Sequence, residues 1–252
     1  MNISLSEASW SRIKAFLAQH PLVRMTNETE GFVKAVHWVL RTGAQWRALP
    51  GSLGKWNSVY KRFRRWSARG IFRELLEFLS KDADREWLCV DSTTIRAHMS
   101  AAGAPKRSGG QQAQSLGQSR GGFSTKLHVK VDALGLPLKF ALTPGHRGDM
   151  IGWWLLSDPQ DAHADYIIAD TAYDSDKLRQ ELHEAGVQPI IPPNRTRALR
   201  PQYDSHLYKQ RFVVECLINK LKWFRRIATR YDKLDETFLA FINLAACLIW
   251  LR

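Results

Sequence analysis

Two short apolar runs each stop at an aspartate. Trp87-Leu88-Cys89-Val90 leads into Asp91, and Tyr166-Ile167-Ile168-Ala169 leads into Asp170. Runs this short and this apolar read as strands buried on both faces, the kind found in sheets covered by helices. The elements expected around them set the class. From residue 87 the order is strand, strand, strand (87–91, 124–131, 136–142), helix (149–157), strand (165–169), helix (175–186), strand (187–192) and helix (205–226). Three early strands suit an antiparallel meander, and the later alternation suits parallel strands joined by right-handed crossovers. If the fourth strand adds beside the first, Asp91 and Asp170 become neighbours at the C-terminal edge, where open α/β sheets bind ligands. Pro189 marks the fifth strand as an edge strand.

Before residue 85 no strand pattern occurs. Helical apolar spacing covers 5–19, 28–41, 56–68 and 70–81, and a last helix is expected at 235–251. The chain therefore divides into a small all-helical part with helix-turn-helix character (1–84) and an α/β part (85–252). Residues 100–122, rich in Gly, Ser, Ala and Gln, are expected to form a mobile loop.

Charge points to a polyanion. The 252 residues carry a formal net charge of +13. Residues 1–80 hold 13 basic and five acidic side chains, so the first third is the expected docking surface. The helix over 56–68 concentrates the effect. Trp56, Val59, Tyr60, Phe63 and Trp66 make one apolar face, while Lys61, Arg62, Arg64, Arg65 and Arg69 cover the rest, with no acid from 55 to 73. A basic helix on an aromatic backing suits DNA recognition; the plainer reading is a solvated face. Arg195, Arg197 and Arg200 form a second basic group that either grips a DNA backbone or is simply solvated.

Other classes fall away. The N-terminus lacks the layout of a signal peptide. The apolar stretch Leu239–Leu251 is too short to span a bilayer and reads as a buried helix. Three scattered cysteines, Cys89, Cys216 and Cys247, read as buried thiols in a reducing compartment. A cytoplasmic, nucleoid-associated protein with no membrane partner is expected.

A third acid completes the pattern. At about 100° per residue, Tyr208, Arg211, Glu215 and Lys222 share one face of the helix over 205–226, with Val213, Val214, Leu217, Leu221 and Phe224 opposite. Two aspartates at strand ends and a helical glutamate offer the hard oxygen ligands that Mg²⁺ or Mn²⁺ prefers. Two such ions activate a nucleophile and stabilise a leaving oxygen in phosphodiester chemistry. Arg211 and Lys222 then serve as phosphate contacts, and Tyr208 touches a phosphate or a displaced base. Taken singly, each acid has a bland role, as a cap, a turn acid or the i−4 ion-pair partner of Arg211. Glu181 and Glu184 are rival third acids without the basic column, and Asp174 and Asp176 are expected to cap the helix after Asp170.

These residues resemble the DDE transposases of bacterial insertion sequences, specifically the family numbered five and its Y-R-E-K group. The signature spaces Tyr, two residues, Arg, three residues, Glu, six residues, Lys, as Tyr208, Arg211, Glu215 and Lys222 do. Asp91 in VDST and Asp170 in ADTAYDS resemble the first two acid motifs; SRGGFSTKLH, FRRIATRYDK and TGAQWRALP also look like this family. Thr171 and the turn Gly145–Asp149 depart from the usual pattern, and His146 there reads as a surface residue. The resemblance implies a ribonuclease-H-like mixed five-stranded sheet with flanking helices. It implies two Mg²⁺ ions, replaceable by Mn²⁺, held by Asp91, Asp170 and Glu215. It also implies cleavage at terminal inverted repeats of double-stranded DNA, 3′-hydroxyl attack on target DNA, and work as a homodimer or larger synaptic assembly. A recombination nuclease on the same fold and a non-catalytic, domesticated DNA-binding regulator are the competing readings.

Overall fold

A computed structural model describes residues 6–252. Its chain forms two compact units, both discontinuous in sequence. One combines the chain up to Lys81 with Arg96–Gln114 and Leu221–Arg252; the other combines Asp82–Ile95 with Ser115–Lys220.

The first unit is helical. α1 (Glu7–Gln19), α2 (Thr29–Thr42), α3 (Trp56–Ala68) and α4 (Ile71–Leu79) fall where the apolar spacing predicts them. Ser6 caps α1 by accepting from the Ser9 amide at 3.1 Å. The unit's core is closed by the other end of the chain. α10 (Asp235–Trp250), buried almost throughout, packs on α3 and α4. This arrangement differs from the division at residue 84, because the amphipathic faces of α3 and α4 meet an apolar helix more than 150 residues later. Phe63, for example, packs against Phe241 with tilted rings whose centroids are 4.4 Å apart.

The second unit is built on a mixed sheet. Its strands are β1 (Trp87–Ala97), β2 (Gly117–Ser119), β3 (Gly122–Val131), β4 (Pro137–Pro144), β5 (Tyr166–Ala169) and β6 (Gln188–Ile190). The order is β2-β3-β1-β5-β6, with β4 paired to β3. β3 runs antiparallel to β2 and β4, whereas β5 runs parallel to β1 and β6. β4-β3-β1-β5-β6 is the ribonuclease-H-like succession that the resemblance implies. Two short strands bring the sheet to seven among the described residues. β2 arises inside the stretch expected to be loop, which otherwise forms 3-10 turns at 99–101, 106–108 and 111–113. β7 (Thr229–Arg230) pairs with the far end of β1.

α5 (Met150–Leu156) and α6 (Asp176–Glu184) follow the expected pattern. The helix expected over 205–226 is instead broken into α7 (Ser205–Tyr208), a 3-10 turn at Lys209–Arg211, α8 (Phe212–Lys222) and α9 (Arg225–Ala228). A period of 3.6 cannot reveal such a break, since a single 3-10 turn shifts the face by only a fraction of a turn. α8 is positioned by the β3–β4 turn. Asp132 Oδ1 there accepts from the amides of Leu134 and Leu136 at 3.1 and 2.7 Å, and Gly135 takes φ +72°. A Cβ on Gly135 would lie 2.9 Å from Val213 Cβ, so glycine lets α8 approach the turn.

Candidate active site

Register sets the first two acids. Val90 pairs with Ala169 in the parallel β1–β5 ladder. Asp91 and Asp170 are therefore the next residues on adjacent strands. Asp91 is buried, 6% exposed, with Oδ1 accepting from the Ser92 amide at 2.7 Å. Asp170 caps a 3-10 turn and accepts from the Ala172 amide at 2.8 Å.

Glu215 is linked to Asp91 through Arg211. One terminal nitrogen of that guanidinium lies 2.5 Å from Asp91 Oδ2 and the other is bonded to Glu215. The i−4 pair between Arg211 and Glu215 is thus present, but the same guanidinium also reaches the first acid. Asp91 lies in the field of both other acids. Burial pushes its carboxyl up to about 6, the Arg211 charge and the Ser92 amide oppose the rise, and the Asp170 and Glu215 charges add to it.

Side chains that sequence reasoning did not single out buttress this cluster. Ser92 donates its hydroxyl to Asp149 Oδ1 at 2.5 Å, and Lys126 Nζ lies 2.7 Å from the same oxygen. Burial alone would raise Asp149; Lys126 and Ser92 more than offset it and hold the carboxyl below its usual range. Tyr173 is fully buried, and its hydroxyl has no partner among the described residues. Burial and the charges of Asp149, Asp91 and Asp170 keep that hydroxyl protonated. Asp149 closes the turn that departs from the usual pattern, and Tyr173 sits in ADTAYDS, so both lay inside motifs whose other residues drew attention first.

The donor set fits hard divalent cations. Oδ2 of Asp170 and Oε2 of Glu215 accept no hydrogen bond among the described residues. Burial makes Asp91 resist ionisation even beside Arg211, so a cation there would favour its charged form. Among the described residues no three ligating groups already converge as a metal cluster; Arg211 bridges two of the acids instead.

The remaining candidates scatter. Tyr208 is half-buried with its ring edge-on to Tyr203, and burial raises its hydroxyl pKa. Lys222, the last residue of α8, is exposed. On α3, Lys61, Arg65 and Arg69 are exposed, although Arg69 also donates to the Leu22 carbonyl at 3.2 Å. Arg62 instead lies over the Phe32 and Trp66 rings and donates to Thr29, while Arg64 lies 3.3 Å from Glu236. Arg195 and Arg200 are exposed, but Arg197 is committed to Asp174 and Asp176. The reading of Asp174 as a helix cap gives way here. Ser175 caps α6 by accepting from the Leu178 amide, and Asp174 gathers Arg179, Arg197 and the Asn194 amide. Glu181 and Glu184 engage Lys177 and Gln180 on their own helix. Cys89 and Cys247 are buried as expected; Cys216 is exposed, because it faces away from the core side of α8.

The chain is similar to several known proteins. Residues 82–250 match the model of the transposase DDE domain, and residues 5–76 match a model for transposases of the IS4/5 family. A Brucella ovis protein named for transposition of insertion sequence element IS6501 is 46% identical over 134 residues, 52% of this chain and 100% of that protein. A Burkholderia cepacia protein named likewise for IS402 is 31% identical over 135 residues, 50% of this chain and 62% of that protein. Among solved structures, the Mos1 mariner paired end complex with Mn is 16% identical, with a TM-score of 0.27, covering 96% of this chain and 86% of that one.

Proposed function

Because the chain belongs to the family of the transposase DDE domain, we propose that Asp91, Asp170 and Glu215 form its catalytic centre for cutting and rejoining DNA. The observation that carries the reading is the parallel register of Val90 with Ala169, combined with an Arg211 side chain that reaches both Asp91 and Glu215. Nothing in the α/β layout alone would place two acids on neighbouring strand ends and a third within one guanidinium of the first.

DDE transposases use divalent metal. Mg²⁺, with Mn²⁺ as a substitute, is the proposed ion here, held by the three carboxylates; when bound it supplies the activated oxygen nucleophile and charge neutralisation of in-line phosphoryl transfer. The chain's own groups do the rest. Ser92, anchored by its hydroxyl to Asp149, orients the Asp91 carboxylate through its own backbone amide. Arg211 carries its charge between two acids, and its planar fork would suit a DNA phosphate were those acids to hold a metal. Lys222 and Tyr208 stand as further strand contacts, and the exposed Lys61, Arg65 and Arg69 as duplex contacts. The substrates are the terminal inverted repeats of the element and a target duplex, the product is a 3′-hydroxyl strand transfer, and the working form is a homodimer or larger synaptic assembly acting at the nucleoid.

The test is incubation of the full chain with Mg²⁺ and DNA carrying the ends that flank its gene. Strand nicks at those ends are expected, with Asp91→Asn, Asp170→Asn and Glu215→Gln each losing cleavage by about 10³-fold while still binding DNA. Full cutting by any one variant removes that residue from the centre.

A further inference from the structure

The segment TGAQWRALP is not used by the catalytic reading, yet it lines a cavity in the helical unit. The cavity has a volume of about 550 Å³ and is bounded by Trp46, Arg47, Trp56, Tyr60, Arg107 and Lys233, among others. Its size lies within the range of small-ligand pockets.

Three observations define what fits there. First, the walls are aromatic: Trp56 and Tyr60 stand on successive turns of α3, and Trp46 packs against Tyr60 at 5.4 Å between centroids. Second, the cavity is cationic beyond its internal pairing. Asp232 is held by Arg226 at 2.9 and 3.0 Å, and Arg64 lies near Glu236. Arg47, Arg107 and Lys233 have no carboxylate partner among the described residues, and Arg47 lies over the Trp56 ring at 5.4 Å from its centroid. Third, the Trp46 indole N–H is buried without an acceptor among the described residues. Buried donors in folded proteins are rarely left so.

A ligand that satisfies all three has a flat π-face, a hydrogen-bond acceptor and an anionic group. A nucleotide has these. A paired duplex does not present them together, since its base faces are hidden in the stack and only phosphates and groove edges are exposed. We propose that this cavity holds one unpaired nucleotide of a DNA strand, its base against the aromatic walls and its phosphates on Arg47, Arg107 and Lys233. Base–aromatic stacking is tolerant of sequence, so the cavity reads the absence of pairing and not base identity. The assignment rests on DNA being the substrate of the chain.

Two probes test it on the full chain: a short duplex, and the same duplex carrying one extra unpaired 2-aminopurine nucleotide. The bulged probe is expected to bind about tenfold more tightly, with its fluorescence quenched by stacking. Trp56→Ala and Arg107→Gln, separately, should reduce that advantage to less than about twofold and restore the fluorescence, while affinity for the paired duplex stays unchanged. Trp56 is half-buried and Arg107 exposed, and thermal melts verify that each variant folds. Equal binding of both probes by the wild-type chain overturns the proposal. So does an advantage that survives both substitutions, or a loss that is equal on both probes. Failure of the wild-type chain to bind either DNA would instead overturn the reading of DNA as substrate.

Discussion

Arg211 Nη2 lies 2.5 Å from Asp91 Oδ2, a contact across 120 residues of sequence. The guanidinium lends a buried carboxylate one positive charge, and burial still outweighs it, since Asp91 stands at about 6. Its folded pKa is raised, so the folded chain holds an extra proton between about 4 and 6. The stability this gives is present at low pH and is lost as pH rises through 6. Asp91→Asn should therefore raise the melting stability at pH 8 by on the order of 2 kcal/mol and change it little at pH 4. Cleavage runs the other way. The ionised carboxylate is the proposed metal ligand, so protons compete with the metal, and wild-type cleavage should decline as pH falls below 6 and recover with added Mg²⁺.

The basic side chains of α3 divide into exposed ones and ones held by the fold. Replacing Lys61 and Arg65 by Ala should weaken binding to all DNA sequences and flatten its salt dependence by about one unit of slope per lost phosphate contact. Stability should not change, since both side chains are exposed. Arg62→Ala removes a guanidinium that covers Phe32 and Trp66 and bonds Thr29. It should cost about 1–2 kcal/mol of stability, read by urea unfolding. Equal stability of the two kinds of variant would return Arg62 to the DNA surface.

Asp174 fastens the loop after β6 to the start of α6. Its side chain is fully inaccessible, and Arg179, Arg197 and the Asn194 amide all converge on it. Asp174→Ala removes an acceptor shared by two guanidiniums, which keep Asp176 and the Ile191 carbonyl, and should cost about 1–3 kcal/mol. Burial alone would raise this carboxyl, but the Asn194 amide and both arginines hold it below its usual range. The depressed pKa contributes stability above the unfolded value near 4, and that contribution is lost as pH falls below it. An acid titration of wild type against Asp174→Asn should show the two curves converging at low pH.

How far the chain reveals itself depends on the range of the interaction. β1 and β5 were legible because each is a continuous apolar run. The neighbouring of Asp91 and Asp170 followed from one topological rule. The link to Glu215 was harder to see. The residue types on α8 were plain, but the break at Lys209–Arg211 was not, and Arg211 read as a phosphate contact instead of a clamp on Asp91. Asp174 shows the same limit. A cap is a local role that sequence suggests, while its ties to Arg197 and the Asn194 amide depend on where a loop 20 residues later returns. The two compact units interleave along the chain, and nothing local to α3 announces that its partner is α10.

Gly135 carries a similar long-range constraint that can be tested simply. A methyl group there meets Val213 at 2.9 Å and the backbone is at φ +72°. Gly135→Ala should destabilise the chain by about 1–3 kcal/mol and, by displacing α8, lower cleavage more than DNA binding. Gel-shift and nicking assays on one preparation separate the two effects.

α10 supplies the inner wall against which α3 and α4 fold, although more than 150 residues separate them along the chain. A fragment that stops short of residue 235 leaves Phe63, Phe72 and their neighbours uncovered. Such a fragment should be sticky and readily digested by proteases, not a free-standing helical half.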